Sequence, residues 1–391
     1  MVRKNWHKAN MRILLVGGAV RNTLLGLPVR DRDYLVLGAT VEDFLAAHPG
    51  AKPVGKTFPV VIHQGQEFCF PRGETLEDDL RLRDFTINAM ALDERGKLFC
   101  HPHALEDLRN RVLRPCSPSS LADDPLRAFR AARLLCELPG FSAHPELLEA
   151  MDALGPEQLG QAYAERVGQE ALKACATCRP GDFLRLLDRT GCLSPWLAEL
   201  EGASGIPGGP PQYHDSSVLE HTARIMDRVS AMPEGDGLTV WMALCHDLGK
   251  VATPKDILPR HIGHEERGEA LAEALGQRLR LTARHIRCGA LAARWHMLAG
   301  RYPELRPATR VDLLLRLKAR GALREVFRMS AADKNMPGQG HLPEALLDLD
   351  AILSVALPPH LRDQGEKSGQ VLHQLQAKSV ELRIRNSKSP E

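Results

Sequence analysis

Early in the chain, short apolar runs alternate with turn signals. Ile13–Val16 is apolar and ends at Gly17-Gly18, Ala19–Leu25 has helical spacing and closes at Gly26, and Tyr34–Leu37 is a second apolar run. Runs of this length bounded by glycine predict strands joined by a short helix. Val60–His63 and Glu67–Phe70 flank Gln64-Gly65-Gln66, which predicts a hairpin. From Leu126 the period changes, and "PLRAFRAARLLCEL" repeats apolar residues at three and four spacing. Helical patterns then dominate. Glu201–Ser217, "EGASGIPGGPPQYHDSS", is rich in Gly and Pro and reads as a linker. A second helical region follows, from Ser216 to Leu357. The tail is polar, with one amphipathic stretch over Val371–Leu382.

A length of 391 residues argues for two or more domains. The formal net charge of +2 excludes a globally basic nucleic-acid binder, so affinity for phosphate backbones has to come from local patches. No apolar run is long enough to span a bilayer, which predicts no membrane partner. The amino terminus, MVRKNWHKANMRILLVGG, is basic and then briefly apolar; the apolar part is too short for a signal-peptide core and reads as a first strand. Nine cysteines, an odd number, predict free thiols in a reducing compartment, and hence the cytoplasm. Cys175 and Cys178 make a single Cys-x-x-Cys in an alanine-rich helical stretch, which reads as helix packing.

The chemistry begins at "LLVGGAVRNTLLGLPVRDRDYLVLGAT" (Leu14–Thr40). Glycines between a strand and a helix let a phosphate approach the backbone and the free N–H groups of the helix start. Arg21, one turn further, adds a charge-assisted contact. Asp31 and Asp33 share a face if both lie in a strand, and paired carboxylates suit Mg²⁺ bound with substrate phosphates. Together these residues point to a nucleoside triphosphate and its metal.

"GGAVRNTLLGLPVRDRDY" resembles the signature of nucleotidyltransferases related to DNA polymerase β, and more closely the class II tRNA nucleotidyltransferases: CCA-adding enzymes, with bacterial poly(A) polymerases as relatives. "DDLRLRDFTINAMAL" (Asp78–Leu92), "DDPLRAFRAARL" (Asp123–Leu134) and "AERVGQE" (Ala164–Glu170) resemble the family's later motifs, in the family's order. The resemblance implies that Gly18 and Arg21 contact the triphosphate and that Asp31 and Asp33 bind Mg²⁺. It implies nucleotide contacts for Arg83, Arg130 and Arg133, and base recognition for Glu165 and Arg166. "QEFCFPRGE" (Gln66–Glu74) resembles a family strand ending in Arg-x-Glu, which makes Glu74 the candidate third catalytic carboxylate. Arg127, Arg130 and Arg133 also lie at helical spacing, as a solvated face would.

Three departures matter. Asn22 stands where the family has Asp, and Leu82 where it has a first Arg. The third is larger: Glu74 is followed at once by "TLEDDLRLRD", so the long flexible loop of CCA-adding relatives is absent. In the family this loop helps the pocket switch from CTP to ATP, and enzymes that add only two cytidines lack it. The expectation is therefore CC addition from CTP, with a separate A-adding enzyme acting on the product. Full CCA addition, using ATP as well, is the competing reading.

Further on, "SSVLEHTARIMDRV" holds His221, "WMALCHDLGKVATP" holds His246-Asp247, and "MSAADKN" holds Asp333. This order resembles the HD metal-dependent phosphohydrolases, which implies a divalent transition metal of unspecified identity and phosphatase or 2′,3′-cyclic phosphodiesterase activity. His264 and His296 are candidates for further ligands or substrate contacts. Twelve arginines fall between Arg278 and Arg328, a surface of the kind that tRNA binding needs.

The expected fold class is α+β: a small mixed-sheet polymerase-β-like head at 1–135, a helical neck at 136–202, a linker at 203–215, an α-helical HD domain at 216–360 and a polar tail at 361–391. Three rival readings are a poly(A) polymerase, an HD phosphohydrolase with a vestigial nucleotidyltransferase half, and a non-catalytic RNA-binding protein. The absence of a long basic tail speaks against the first. Intact Asp31, Asp33 and Arg21 speak against the second, and two sets of metal carboxylates against the third.

Overall fold

The computed structural model describes residues 11–54, 60–212 and 215–387. The basic amino terminus, two residues of the expected linker and the last four of the expected tail lie outside them. The chain forms two compact units, one of residues 1–131 and 138–158, the other of 132–137 and 159–391.

The first unit is built on a seven-stranded mixed sheet. Its strands are β1 (Arg12–Val16), β2 (Asp33–Leu37), β3 (Lys52–Val54), β4 (Val60–His63), β5 (Gln66–Cys69), β6 (Met90–Leu92) and β7 (Leu98–Cys100). Their order is β3-β4-β5-β2-β1-β6-β7. Among the described residues of this sheet, only β2 and β5 pair in parallel. Alternation along the strands gives the sheet two apolar faces. Leu14, Val16 and Leu35 pack with Leu80, Ala89 and Ala91 on one, while Val36, Val61 and Phe68 pack with Phe44 on the other. The expected hairpin is present: His63 pairs with Gln66 across a two-residue turn in which Gln64 and Gly65 both have positive φ.

The second unit is helical. Trp241, Phe183, Phe327 and Tyr302 are fully buried in it. The Gly/Pro-rich stretch read as a linker folds into this unit: Ala203 and Gly208 are buried, and the carbonyls of Pro207 and Gly208 accept hydrogen bonds from His261 and Lys250. The tail read as polar forms a helix, Glu366–Ser387, which buries Gln376 and Val380. Cys175 is buried and its thiol is pushed up to about 12 by burial, so it is not a thiolate at neutral pH. Among the described residues no helix is long and apolar enough to cross a membrane.

Candidate active sites

In the first unit, β1 ends at Gly17, whose φ of 71° is a conformation that glycine adopts without a Cβ penalty. The helix Gly18–Leu25 starts immediately after it. Val16 faces Asp33 across the β1–β2 ladder, so the glycine turn and this aspartate share one end of the sheet. Asp33 opens β2, but Asp31 precedes the strand, so the expected two-residue alternation does not relate them. They are nevertheless neighbours. Burial raises the Asp33 carboxyl, and the charge of Asp31 raises it further, against the opposing pull of Arg83 and Arg130. Two carboxylates that repel each other are suited to a cation, and the cationic groups nearby to phosphates.

Three arginines are held rigidly. Buried Arg21 donates to Asn88 Oδ1 at 2.7 Å and, through Nε and a terminal nitrogen, to Asn22 Oδ1 at 3.0 and 2.9 Å. Asn22 thus orients Arg21 without adding a charge. Arg83 donates twice to buried Asp79, at 3.1 and 3.2 Å, and its free end lies over Gly17, 3.5 Å from where a Cβ would stand. Arg130 donates twice to Asp84, whose other oxygen accepts from Asn88 at 3.2 Å. Arg21, Asn88, Asp84 and Arg130 therefore form one chain of bonds through three separate sequence motifs.

The sequence pointed to Glu74 as the third carboxylate. The structure puts Glu74 in the exposed turn after β5 and Glu67 in parallel register with Asp33, where paired residues share a face. The alternation of "QEFC" was the available signal, but strand order could not be read from it. Arg133 lies in the helical unit, paired with Glu170 and Glu137. Glu165 and Arg166 are exposed at the start of the helix Ala164–Cys175.

In the second unit, four predicted ligands converge. His221 Nε2 lies 3.0 Å from Asp333 Oδ1, 3.5 Å from Asp247 Oδ2 and 3.4 Å from His246 Nε2; His246 Nε2 lies 3.1 Å from Asp247 Oδ2. His246 Nδ1 bonds the Ala243 carbonyl at 2.6 Å, so the neutral imidazole that a metal requires would present its Nε2 lone pair to this group. Donors spaced by 3.0–4.0 Å fit around one ion with bonds of about 2.0–2.2 Å. These residues therefore fit a divalent ion. Burial works against charge on both Asp247 and Asp333. It is outweighed by His246 and Lys250 at Asp247, and by the His221 hydrogen bond and the His246 charge at Asp333, so both carboxyls stay well below the usual range. Gly249 makes the convergence possible: a Cβ there would stand 2.0 Å from the His264 carbonyl oxygen. Lys250 donates to Asp247 Oδ2 at 2.8 Å. Several of the twelve arginines are structural, since Arg278 pairs with Glu199, Arg310 is buried against Asp348 and Glu344, and Arg328 pairs with Glu234.

A Gly-Gly turn with paired aspartates on a mixed sheet, followed by a histidine–aspartate cluster in a helical unit, defines a nucleotidyltransferase that carries an HD domain on the same chain. Comparisons with known proteins agree. Residues 61–114 match the poly A polymerase head domain and residues 213–334 the HD domain. The multifunctional CCA protein of Xanthomonas campestris pv. campestris (strain B100) is 39% identical over 330 residues, covering 78% of this chain and 80% of that protein. The one of Actinobacillus pleuropneumoniae serotype 5b (strain L20) is 40% identical over 330 residues, covering 76% and 78%. Among solved structures, the Bacillus stearothermophilus CCA-adding enzyme in complex with CTP superposes with a TM-score of 0.64 at 22% identity over 97% of this chain and 95% of that one. The Thermotoga maritima CCA-adding enzyme complexed with tRNA gives 0.63 at 19% over 95% and 88%. The chain belongs to the multifunctional CCA protein family of tRNA nucleotidyltransferases.

Proposed function

We propose that the chain transfers CMP from CTP to the 3′ end of tRNA twice and leaves the terminal adenosine to a separate enzyme. The observation that carries the stop is the connection from β5 to the helix Leu76–Arg81. Only residues 70–75 span it. Arg72 is tied to buried Asp79 through its backbone N–H and its guanidinium, at 3.2 and 3.3 Å. Thr75 and Asp78 close a reciprocal cap, with bonds of 2.7 and 3.1 Å. A segment clamped at both ends has no slack for the loop motion that the resemblance links to accepting ATP. Full CCA addition, the activity named for the relatives, is the second reading.

In this mechanism Gly17 and Gly18 admit the triphosphate, and Arg21, held by Asn22 and Asn88, binds it as a preorganised fork. Arg83 and Arg130, fixed by Asp79 and Asp84, are the further cationic groups of the same unit. Asp31, Asp33 and Glu67 are the residues to hold Mg²⁺, which supplies Lewis-acid stabilisation of charge at the transferred phosphorus. The register of Glu67 with Asp33 supports Glu67 over the sequence candidate Glu74. The resemblance also assigns a nucleotide contact to Arg133 and base recognition to Glu165 and Arg166. A tRNA substrate places the reaction in the cytoplasm.

In the HD unit, His221, His246, Asp247 and Asp333 would hold a divalent transition metal, which would supply Lewis-acid chemistry for hydrolysis of phosphate esters, with 2′,3′-cyclic ends as the substrate class.

The test is extension of tRNA lacking its CCA, with CTP, with ATP and with both. Two additions from CTP and no growth on adding ATP support the reading. A terminal A overturns the CC limit, and ATP tails on unrelated RNA point to poly(A) synthesis.

A further inference from the structure

Neighbouring residues of the helix Ala283–Gly300 face different surroundings. His296 is 1% exposed and lies, with His264, against Asp247 Oδ1, at 3.6 and 3.5 Å. Trp295 beside it is half-buried and lines an open groove. The HD ligands His221, His246, Asp247 and Asp333 are not among the residues lining that groove.

The groove has a volume of about 580 Å³, within the roughly 300–1,000 Å³ of small-molecule sites. Its floor is apolar, with Ile286, Leu291 and the Trp295 indole. Its walls carry opposite charge. Glu269 and Glu273 come from the helix His264–Arg278, and Arg316 and Arg320 from the end of the helix Pro307–Ala319. Arg287 adds a third cation from the helix of the floor.

These arginines are not spent on the fold. Unlike Arg278, Arg310 and Arg328, the exposed Arg287, Arg316 and Arg320 have no carboxylate within ion-pair distance among the described residues. The guanidinium carbons of Arg294 and Arg316 lie 5.5 and 5.9 Å from the centroid of the Trp295 ring. Arg294 is anchored there by Glu266 at 3.0 Å and Glu269 at 3.7 Å. Arg316 has no such anchor. An aromatic base can therefore displace it from the ring, because an exposed cation–π contact is weaker than stacking of a base on an aromatic side chain. The guanidinium then serves a phosphate. The spacing agrees: Arg287 lies eight residues before Trp295, about 12 Å along the helix, which is the reach of an extended di- or triphosphate from its base.

We propose that this groove binds one nucleoside di- or triphosphate, with its base on Trp295, its phosphates on Arg287, Arg316 and Arg320, and an exocyclic amino group donating to Glu269. The acidic wall decides between a free nucleotide and an RNA strand. A strand carries a phosphate at every nucleotide and sets some of them against Glu269 and Glu273. A single nucleotide turns all its phosphates to the arginines and its base edge to the carboxylate. Adenine, cytosine and guanine bear an amino group for that contact, and uracil does not.

The site is tested without either enzymatic activity. Full-length protein in excess chelator, so that neither metal-binding group is loaded, is titrated with ATP. Bound nucleotide is counted by equilibrium dialysis, and tryptophan fluorescence is followed. The proposal expects wild type to bind one more ATP per chain than the double variant Arg316→Glu/Arg320→Glu, with a quench that this variant lacks. Trp295→Phe keeps an aromatic floor, so it loses the quench and retains the count. UTP binds about fivefold more weakly than ATP, as the loss of one hydrogen bond requires. Equal counts in wild type and the double variant overturn the site. Equal affinity for ATP and UTP overturns the role of Glu269. A single-stranded oligonucleotide that quenches Trp295 where ATP does not overturns the free nucleotide and makes the groove an RNA track. If the double variant fails to fold, a quench that persists in Trp295→Phe overturns the site by itself.

Discussion

Asp84 Oδ2 accepts two hydrogen bonds from the Arg130 guanidinium, at 2.6 and 3.0 Å. Burial raises the Asp84 carboxyl, but the charge and hydrogen bonds of Arg130, with further hydrogen bonds from the Phe85 N–H and Asn88, outweigh burial and bring it from 3.8 to about 2. A depressed folded-state value means stability that is present above the unfolded value and lost as pH falls through the folded one. Ionisation of Asp84 in this setting therefore contributes about 2 kcal/mol of stability at neutral pH. Asp84→Asn is expected to lower stability by about that amount at pH 7, with the difference from wild type fading between about pH 4 and pH 2. Urea unfolding at a series of pH values checks it, and a difference independent of pH rejects the ion-pair account.

The register of β2 and β5 makes Glu67, rather than Glu74, the neighbour of Asp33. Glu67→Gln is expected to slow CMP transfer on the order of 100-fold, through loss of charge stabilisation at the reacting phosphate. Glu74→Gln, in the exposed turn, is expected to change it by less than about threefold. Single-turnover extension rates at saturating CTP measure both, and the reverse order would restore Glu74.

Gly249 has no room for a Cβ, because the His264 carbonyl oxygen would lie 2.0 Å away and the Gly268 nitrogen 2.6 Å away. Gly249→Ala should force the helices Leu248–Val251 and His264–Arg278 apart and cost about 1–3 kcal/mol. Denaturant melts of the full chain test the cost. Metal retention should fall in the same variant, because the displaced helix begins with His264.

The HD ligands lie in the unit that lacks the paired aspartates Asp31 and Asp33. Asp333→Ala removes a carboxylate that faces His221 at 3.0 Å. The expected outcome is a loss of 2′,3′-cyclic phosphate hydrolysis by at least on the order of 100-fold, with CMP addition to tRNA within about twofold of wild type. Parallel assays on one preparation decide this, and loss of both activities would argue for a structural role.

Much of this protein was legible in its sequence, because the relevant interactions are local. The turn at Gln64-Gly65, the glycine at the end of β1 and the helix after it depend on residues a few positions apart. The helical periodicity from Leu126 onward is likewise a property of nearest turns, and His246 and Asp247 are adjacent in the chain. Tertiary structure alone decided the rest. Asp31 and Asp33 lie close together although only Asp33 is in the strand, and Glu67 joins them because β5 runs parallel to β2. Neither strand order nor direction is written in a period-two pattern. Asn88 meets Arg21 across 67 positions of sequence and ties it to Asp84, and Asp333 reaches His221 across 112. The two oxygens of Asp247 face different pairs of histidines because Gly249 lets two helices approach to backbone contact. Such convergences follow from packing among distant segments, whose geometry is set only when the whole core closes.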